Sequence, residues 1–496
     1  MHRIHQLIEG KDAAALAVID YDGALFSYGD LLDAVQKATE SLYSYGVRPG
    51  DRVVVLAENC ATYAVTSLAL SMLDAWIVPL NARATDREID TVVAHSGARC
   101  VVIAADVSMA ARAQADRLKA REVGQLMVSP LRDTTAEPTQ RGAGQVAAIL
   151  YTSGTSGAPK GVMLTHDNLL FMAHASMQRR QATAADQALA VLPGTHIFGF
   201  SSIILTTFLA GGSLRFQPRF DPALVIEGLQ AGATMLSGVP QMFALILKHC
   251  KDNRIERVET GLRYMSSGGS PLDPSWKRRV ERIFGQPIHN GYGLTEGAPG
   301  IATTQIDHPP QDDTVGPALP GVDVRLDNPG ADGVGELLAR GRNIMKGYYK
   351  NPEATAEAFT DDGFLRTGDL ARIEDDGRIY IVGRCKEVII HSGFNVYPPE
   401  IEAALNAHPS VTQAAVVGRA RDGNEDVLAF VNLRVPQTAA ELKTYLGDAL
   451  VRYKIPYHIV ITDALPQAAT GKILKHKLVE TFASELAQLD EEAQNA

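Results

Sequence analysis

The sequence predicts an α/β protein with a large N-terminal domain of parallel sheets flanked by helices, ending in a small β subdomain, and a small α+β C-terminal domain. Three observations predict it. Short β-type runs alternate with helical stretches through the first two thirds of the chain, the pattern of parallel sheets covered on both faces. From Asp313 to Leu370 the texture changes to Gly-rich turns between short alternating runs. A further break falls at Gly383-Arg384-Cys385-Lys386, and residues 385–496 carry their own α/β pattern. The chain has 496 residues, too many for one ordinary core. The boundaries read from it are 1–384, with the β subdomain at 313–384, and 385–496.

The elements follow in order. Arg52-Val53-Val54-Val55-Leu56 is a buried-strand run, and Ala61 to Leu73 an apolar helix. Cys100-Val101-Val102-Ile103 is another strand, and Leu131 to Gln145 is polar enough to be a surface loop. Val146 to Leu150 is a strand that leads into a Ser/Gly/Thr loop. Strand and helix pair again at Thr234 to Leu236 with Gln241 to Lys248, and at Leu262 to Met265 with Pro274 to Ile283. In the C-terminal part, Val411 to Gly418 and Val427 to Val435 read as strands. Ala439 to Val451 and Lys475 to Leu486 read as helices, and the acidic tail from Asp490 to Ala496 as frayed. Periodicity does not fix the strand order.

Composition excludes several classes. Hydrophobic residues are 46% and charged residues 21%, as in ordinary globular proteins. The net charge of −10 argues against a nucleic-acid binder and against a polybasic membrane anchor. Cys60, Cys100, Cys250 and Cys385 form no CxxC pair or zinc pattern. Few, scattered cysteines suggest a reducing compartment. The N-terminus does not read as a signal peptide, and no apolar run reaches the roughly 20 residues of a spanning helix. A cytoplasmic protein without integral membrane association is expected.

The strongest chemical signal is Leu150-Tyr151-Thr152-Ser153-Gly154-Thr155-Ser156-Gly157-Ala158-Pro159-Lys160-Gly161. Glycines let the backbone turn tightly and aim N–H groups at an anion. Thr152, Ser153, Thr155 and Ser156 add hydroxyl donors, and Lys160 a point charge. The set suits a polyphosphate. It is not a Walker A loop, because Gly161 follows Lys160 where Ser or Thr is needed. A plain polar loop between strand and helix is the alternative for a less specific run.

This segment resembles the adenylate-forming superfamily of acyl-CoA synthetases, aryl-CoA ligases, peptide-synthetase adenylation domains and firefly-type luciferases. Further family motifs follow in the family's order across nearly the whole chain. They are Gly291-Tyr292-Gly293-Leu294-Thr295-Glu296, Gly335-Glu336-Leu337, Arg366-Thr367-Gly368-Asp369-Leu370, Gly383-Arg384-Cys385-Lys386-Glu387, Gly393-Phe394-Asn395-Val396-Tyr397-Pro398 and Thr470-Gly471-Lys472-Ile473. The resemblance implies a two-step ligase. A carboxylic acid attacks the α-phosphorus of ATP, pyrophosphate leaves, and the acyl group of the acyl-AMP passes to the thiol of coenzyme A. Both first-step partners are anions, so the site must neutralise repulsion and hold them in line. Mg²⁺ on the phosphates is expected, held by one or two carboxylates.

The resemblance also implies residue roles. Ser153 to Gly157 with Thr152 and Lys160 would take ATP phosphates. Thr295 would contact the α-phosphate and Glu296 hold Mg²⁺, with Asn290, Gly291 and Tyr292 at adenine. A Thr-Glu pair after a glycine turn also reads as a helix N-cap. Asp369 would accept the ribose hydroxyls and Arg384 reach ribose or phosphate. Lys472, on the C-terminal domain, would bridge acyl carboxylate, ribose and α-phosphate, a task suited to a compact ammonium. Gly393 would line the pantetheine tunnel, and Lys386 would be the hinge about which the C-terminal domain rotates between half-reactions.

Family alignment places the acyl pocket at His196, Phe198, Ser237, Gly268, Gly269, Gly293 and Leu294, with Phe200 and Met235 nearby. His196 is expected to pack over the carboxylate or close the pocket. No acidic partner for a substrate ammonium stands in His196-Ile197-Phe198-Gly199-Phe200-Ser201, which counts against an amino acid. Small and apolar walls fit a fatty or aromatic acid, with a medium- or longer-chain aliphatic acid favoured and an aryl acid next. An acyl carrier protein as acceptor is the nearest rival. A luciferase-type monooxygenase and a non-catalytic sensor are weaker ones, since Lys160, Thr295, Glu296, Asp369, Arg384 and Lys472 are all present. Many relatives dimerise, which leaves a homodimer open.

Overall fold

The computed structural model describes residues 1–494 apart from 153–158, 271, 273, 311, 392–393, 422–423 and 468–472. The chain forms two compact units. One comprises 1–270, 278–324 and 338–366; the other comprises 271–277, 325–337 and 367–496.

Two eight-stranded sheets build the first unit. One runs edge to edge through Gly300–Thr303, Ile288–Gly293, Tyr264–Ser267, Met235–Gly238, Gln187–Ala190, Ser213–Phe216, Leu16–Ile19 and Leu25–Ser27. The other runs through Gly347–Tyr348, Lys160–Thr165, Val146–Thr152, Trp76–Asn81, Arg52–Ala57, Cys100–Ile103, Leu126–Val128 and Arg121–Val123. Their centres are parallel. Their edges are antiparallel, a feature that strand–helix alternation does not reveal.

The apolar run Val53 to Ala57, in the strand Arg52–Ala57, has a direct cause. Val53 and Val55 pack into a core that includes the helices Tyr28–Tyr45, Ala61–Met72 and His166–Arg180. Val54 and Leu56 pack into a second core on the opposite face. Successive strand side chains point to opposite faces, so a strand covered on both sides is apolar throughout. The helix Ala61–Met72 is likewise buried around its circumference, consistent with its lack of a polar face.

The segment 131–145 carries no regular structure but is more than a surface connector. Its Glu137 carbonyl oxygen lies 2.0 Å from where a Cβ on Gly50 would stand. Gly50, at φ +81°, is the residue type such a close approach allows.

A four-stranded sheet, Val322–Asp327, Gly335–Gly341, Leu365–Ile373 and Ile379–Arg384, follows, its last two strands antiparallel. The second unit also contains a three-stranded sheet of Val411–Arg421, Asn424–Leu433 and His458–Thr462. Alternate residues of that sheet fill two clusters, Val416, Ala429 and Val431 in one and Ala415, Leu428 and Phe430 in the other.

Two expectations for the C-terminus are corrected. The helix read over Lys475 to Leu486 is broken into a 3₁₀ turn, Lys475–Lys477, one turn at Leu478–Thr481, and a helix, Ala483–Gln494. Phe482 interrupts it, buried against Phe430 with ring centroids 5.3 Å apart. Asp490 is held rather than frayed. It accepts from Arg419 Nη1 and pairs with His458 Nε2, both at 2.8 Å.

Candidate functional site

The candidate site of the first unit is assembled from strand ends. In the first sheet, Gly238, Ser267 and Asn290 are register partners across three parallel strands. They stand at or near the carboxyl ends, and Gly268, Gly269 and Gly291 to Thr295 come just beyond. Ligands of open parallel sheets bind beyond these ends, so the topology gathers segments far apart in sequence.

Asn290 is fixed on several sides. Its amide donates to the carbonyls of Asp313 and Thr314, each at 3.3 Å, and its own carbonyl accepts from Thr304 N–H at 3.0 Å. Tyr292 pairs with Ala302 on the antiparallel edge strand. The helix start considered at Thr295 is a three-residue 3₁₀ turn, Thr295–Gly297, with no side-chain cap on Leu294. A full helix N-terminus therefore contributes nothing at this place.

The glycines play different parts. A Cβ on Gly268 would lie 3.1 Å from Phe198 Cε1, so the missing side chain makes room for that ring. A Cβ on Gly293 would lie 2.0 Å from the Pro299 carbonyl oxygen, so this glycine serves backbone packing. Gly269 adopts φ +83°. Ser237 Oγ and Ser266 Oγ hydrogen-bond at 2.8 Å. Phe200 and Met235 are buried in the core, Phe200 edge-on to Tyr63. His196 presents an exposed ring, yet surrounding protein lowers its pKa by desolvation.

The Ser/Gly/Thr loop joins two antiparallel strands, Val146–Thr152 and Lys160–Thr165, rather than a strand and a helix. Thr152 and Lys160 face each other at its base as register partners. Ser153, Gly154, Thr155, Ser156 and Gly157 lie outside the described residues, as do Gly393 and Lys472.

Sequence reasoning missed Tyr348. Its hydroxyl donates to Glu296 Oε1 at 2.8 Å, and Lys160 Nζ sits 4.8 Å from its ring centroid. Burial, then the charge of Glu296, raise the phenol pKa well above its usual value, so Tyr348 remains a proton donor. No local signal marks it. Antiparallel pairing of Gly347–Tyr348 with Lys160–Thr165 brings it to the site.

In the second unit, Asp369 and Arg384 are register partners on neighbouring strands, with Arg384 Nε 3.1 Å from Asp369 Oδ1. Asp369 is 10% exposed at its side chain. Thr367 Oγ1 donates to the Leu337 carbonyl at 2.6 Å and accepts from Asp369 N–H at 3.1 Å. Glu336 Oε1 accepts from Gly368 N–H at 3.0 Å. Two motifs separated in sequence thus brace each other. Lys386 lies on the 3₁₀ turn Cys385–Glu387.

Among the described residues, no three His, Cys, Asp or Glu side chains cluster as a metal cage. Glu296 is a single carboxylate with one oxygen engaged by Tyr348. That fits Mg²⁺ carried on phosphates, which needs one or two carboxylates, and does not fit a free-standing metal centre. Among the described residues, no helix is long and apolar enough to cross a membrane.

Loops at the carboxyl ends of parallel strands are where open α/β sheets bind their ligands, the arrangement of a nucleotide-using enzyme. The chain belongs to the AMP-binding enzyme family: that family matches residues 8–349, and its C-terminal domain matches residues 400–472. It is an AMP-forming acid–CoA ligase. It is 33% identical over 484 residues to a feruloyl-CoA synthase of an Amycolatopsis species, covering 94% of this chain and 95% of the relative. ATP-bound MatB from Rhodopseudomonas palustris superposes with TM-score 0.85 at 31% identity, covering 97% of this chain and 99% of that one. The o-succinylbenzoate CoA synthetase MenE of Bacillus subtilis, complexed with its acyl-adenylate OSB-AMP, superposes with TM-score 0.83 at 26% identity, covering 96% and 98%. ATP, a carboxylic acid and coenzyme A are thus its substrates, joined through an acyl-adenylate.

Proposed function

We propose that the acid is apolar and planar, of the aryl class. The observation that carries this reading is the Phe198 ring lying against Gly268, which suits a flat substrate stacked beside an aromatic wall. The feruloyl-CoA synthase relative supports it. Phe200 and Met235, which could line a tunnel for a longer aliphatic chain, are buried in the core rather than beside the Phe198–Gly268 contact.

In this reading, the loop from Thr152 to Gly157 and Lys160 take the ATP phosphates. Thr295 meets the α-phosphate and Glu296 holds Mg²⁺, which supplies charge neutralisation when bound. Tyr348 keeps the Glu296 carboxylate aimed. Asn290, Gly291 and Tyr292 receive adenine, and Asp369 with Arg384 the ribose. His196 closes over the acid, whose pocket is lined by Phe198, Ser237, Gly268 and Leu294. Lys472 acts in adenylation and Gly393 passes the pantetheine arm in thioester formation. A domain division at 384/385, with rotation about Lys386, presents the two in turn. In the first step the carboxylate oxygen bonds to the α-phosphorus as the bond to pyrophosphate breaks. In the second, the thiol sulfur bonds to the acyl carbon as AMP leaves, and the thiol proton is lost. All four cysteines are free thiols, which supports a reducing, cytoplasmic setting.

The test is AMP release from ATP and Mg²⁺ across straight-chain, branched, aromatic and dicarboxylic acids, with and without coenzyme A. Coenzyme-A-dependent AMP confined to aryl acids is expected. Turnover with straight-chain acids alone would overturn the substrate class. Pyrophosphate without coenzyme-A-dependent turnover would move the acceptor to a carrier protein.

A further inference from the structure

Lys475 lies three residues beyond Lys472, at the start of the turn Lys475–Lys477. Its ammonium stands 2.7 Å from Glu402 Oε1 and 3.2 Å from Glu387 Oε2. Only 25% of its side-chain surface is exposed. Glu402 Oε1 also accepts the N–H of Val416 at 2.7 Å. One lysine therefore joins its own turn to the helix Pro398–Ala407, the strand Val411–Arg421 and the turn Cys385–Glu387.

The backbone beside it is pinned as well. Gln467 and Ile473 form an antiparallel bridge, and Leu474 N–H donates to the Pro466 carbonyl at 2.8 Å. Gln467 Nε2 donates to Gln413 Oε1 at 3.0 Å. Leu465 and Leu478, on either side, are buried in one apolar cluster. Gln467 and Ile473, the described residues nearest Lys472 on either side, are thus both held by the fold. Burial by itself would depress the Lys475 pKa, but Glu402 and Glu387 hold it raised, so the ammonium persists. An ion pair this sheltered is costly to break from one side, because the carboxylates left behind repel each other.

We propose that Lys475 is a positioning residue for adenylation: its double ion pair with Glu402 and Glu387 anchors the chain three residues beyond Lys472 and ties that point to the turn carrying Lys386. The inference rests on the reading that Lys472 acts in adenylation. A displacement of about 1 Å at a reacting group can cost roughly a hundredfold in rate, so anchoring three residues away has kinetic consequences.

The test compares Lys475→Met, Lys475→Arg, Glu387→Gln and Lys472→Ala in the full chain. Two half-reactions are measured: acid-dependent exchange of pyrophosphate into ATP, and coenzyme-A-dependent consumption of supplied acyl-adenylate. Lys475→Met is expected to lower the exchange kcat roughly tenfold or more, with the KM for acid unchanged and thioester formation within about twofold. Lys475→Arg should restore most of the exchange. Exchange within about twofold of the parent in Lys475→Met would overturn the proposal. So would equal loss of both half-reactions without rescue by arginine, since that marks a purely structural role. If Lys475→Met does not fold, Glu387→Gln decides, because it leaves the Glu402 and Val416 anchor in place. A selective fall in exchange supports the proposal and an unchanged exchange overturns it. Full exchange in Lys472→Ala would remove the underlying reading; lost exchange there with normal exchange in Lys475→Met would remove this inference alone.

Discussion

Tyr348 donates its hydroxyl to Glu296 Oε1 at 2.8 Å, and the same ring lies under Lys160. One aromatic side chain therefore touches both the proposed phosphate lysine and the proposed metal carboxylate. Tyr348→Phe keeps the ring and removes the donor. A hydrogen bond to a charged group contributes about 1.5–3 kcal/mol, so adenylation should fall roughly tenfold to a hundredfold. The Mg²⁺ concentration at half-maximal pyrophosphate exchange should rise, and binding of metal-free ATP by calorimetry should change little. An unaltered Mg²⁺ dependence would show that the contact does not aim Glu296.

Gly268 and Gly293 should respond differently to one methyl group. Gly268→Ala meets the Phe198 ring at 3.1 Å and should lower kcat/KM for a bulky aryl acid roughly tenfold, with the KM for ATP unchanged. Gly293→Ala meets backbone at 2.0 Å and should cost about 3 kcal/mol of stability. Steady-state kinetics and thermal unfolding of both variants separate a pocket glycine from a packing glycine.

His166 should make the fold acid-sensitive. Its buried ring accepts the Ile4 N–H at 3.3 Å, and burial lowers its pKa from 6.5 to about 3. The folded state thus binds this proton less readily than the unfolded state. Its contribution is complete above the unfolded value of 6.5, declines as pH falls, and levels off near 3. The slope is about 1.4 kcal/mol per pH unit. Melting temperatures of the parent should fall more steeply than those of His166→Asn between these limits; parallel slopes would exclude His166 as the source.

Gly393→Leu should separate the half-reactions in the opposite sense to Lys472→Ala. A side chain in the pantetheine path blocks the thiol but not the adenylate. Rapid-quench measurement should show one equivalent of pyrophosphate per enzyme and no thioester. Sustained coenzyme-A turnover would exclude the tunnel role.

Much of this protein was legible in the sequence. The doubly buried run at Arg52–Ala57 declared itself because alternate side chains enter two cores, and the ordered motifs declared the family by their resemblance to it. Strand order, the antiparallel edges and the antiparallel pairing of Val146–Thr152 with Lys160–Thr165 were not legible, since hydrogen bonding between strands leaves no local period. Tyr348 reached Glu296, Asp490 reached Arg419, and Lys475 reached Glu387 and Glu402 only through such long-range pairing. The sequence alone determined the family, because its motifs stand in the family's order; tertiary structure decided which remote side chains touch and brace one another, because contact between distant segments is settled only when sheets and cores close around them.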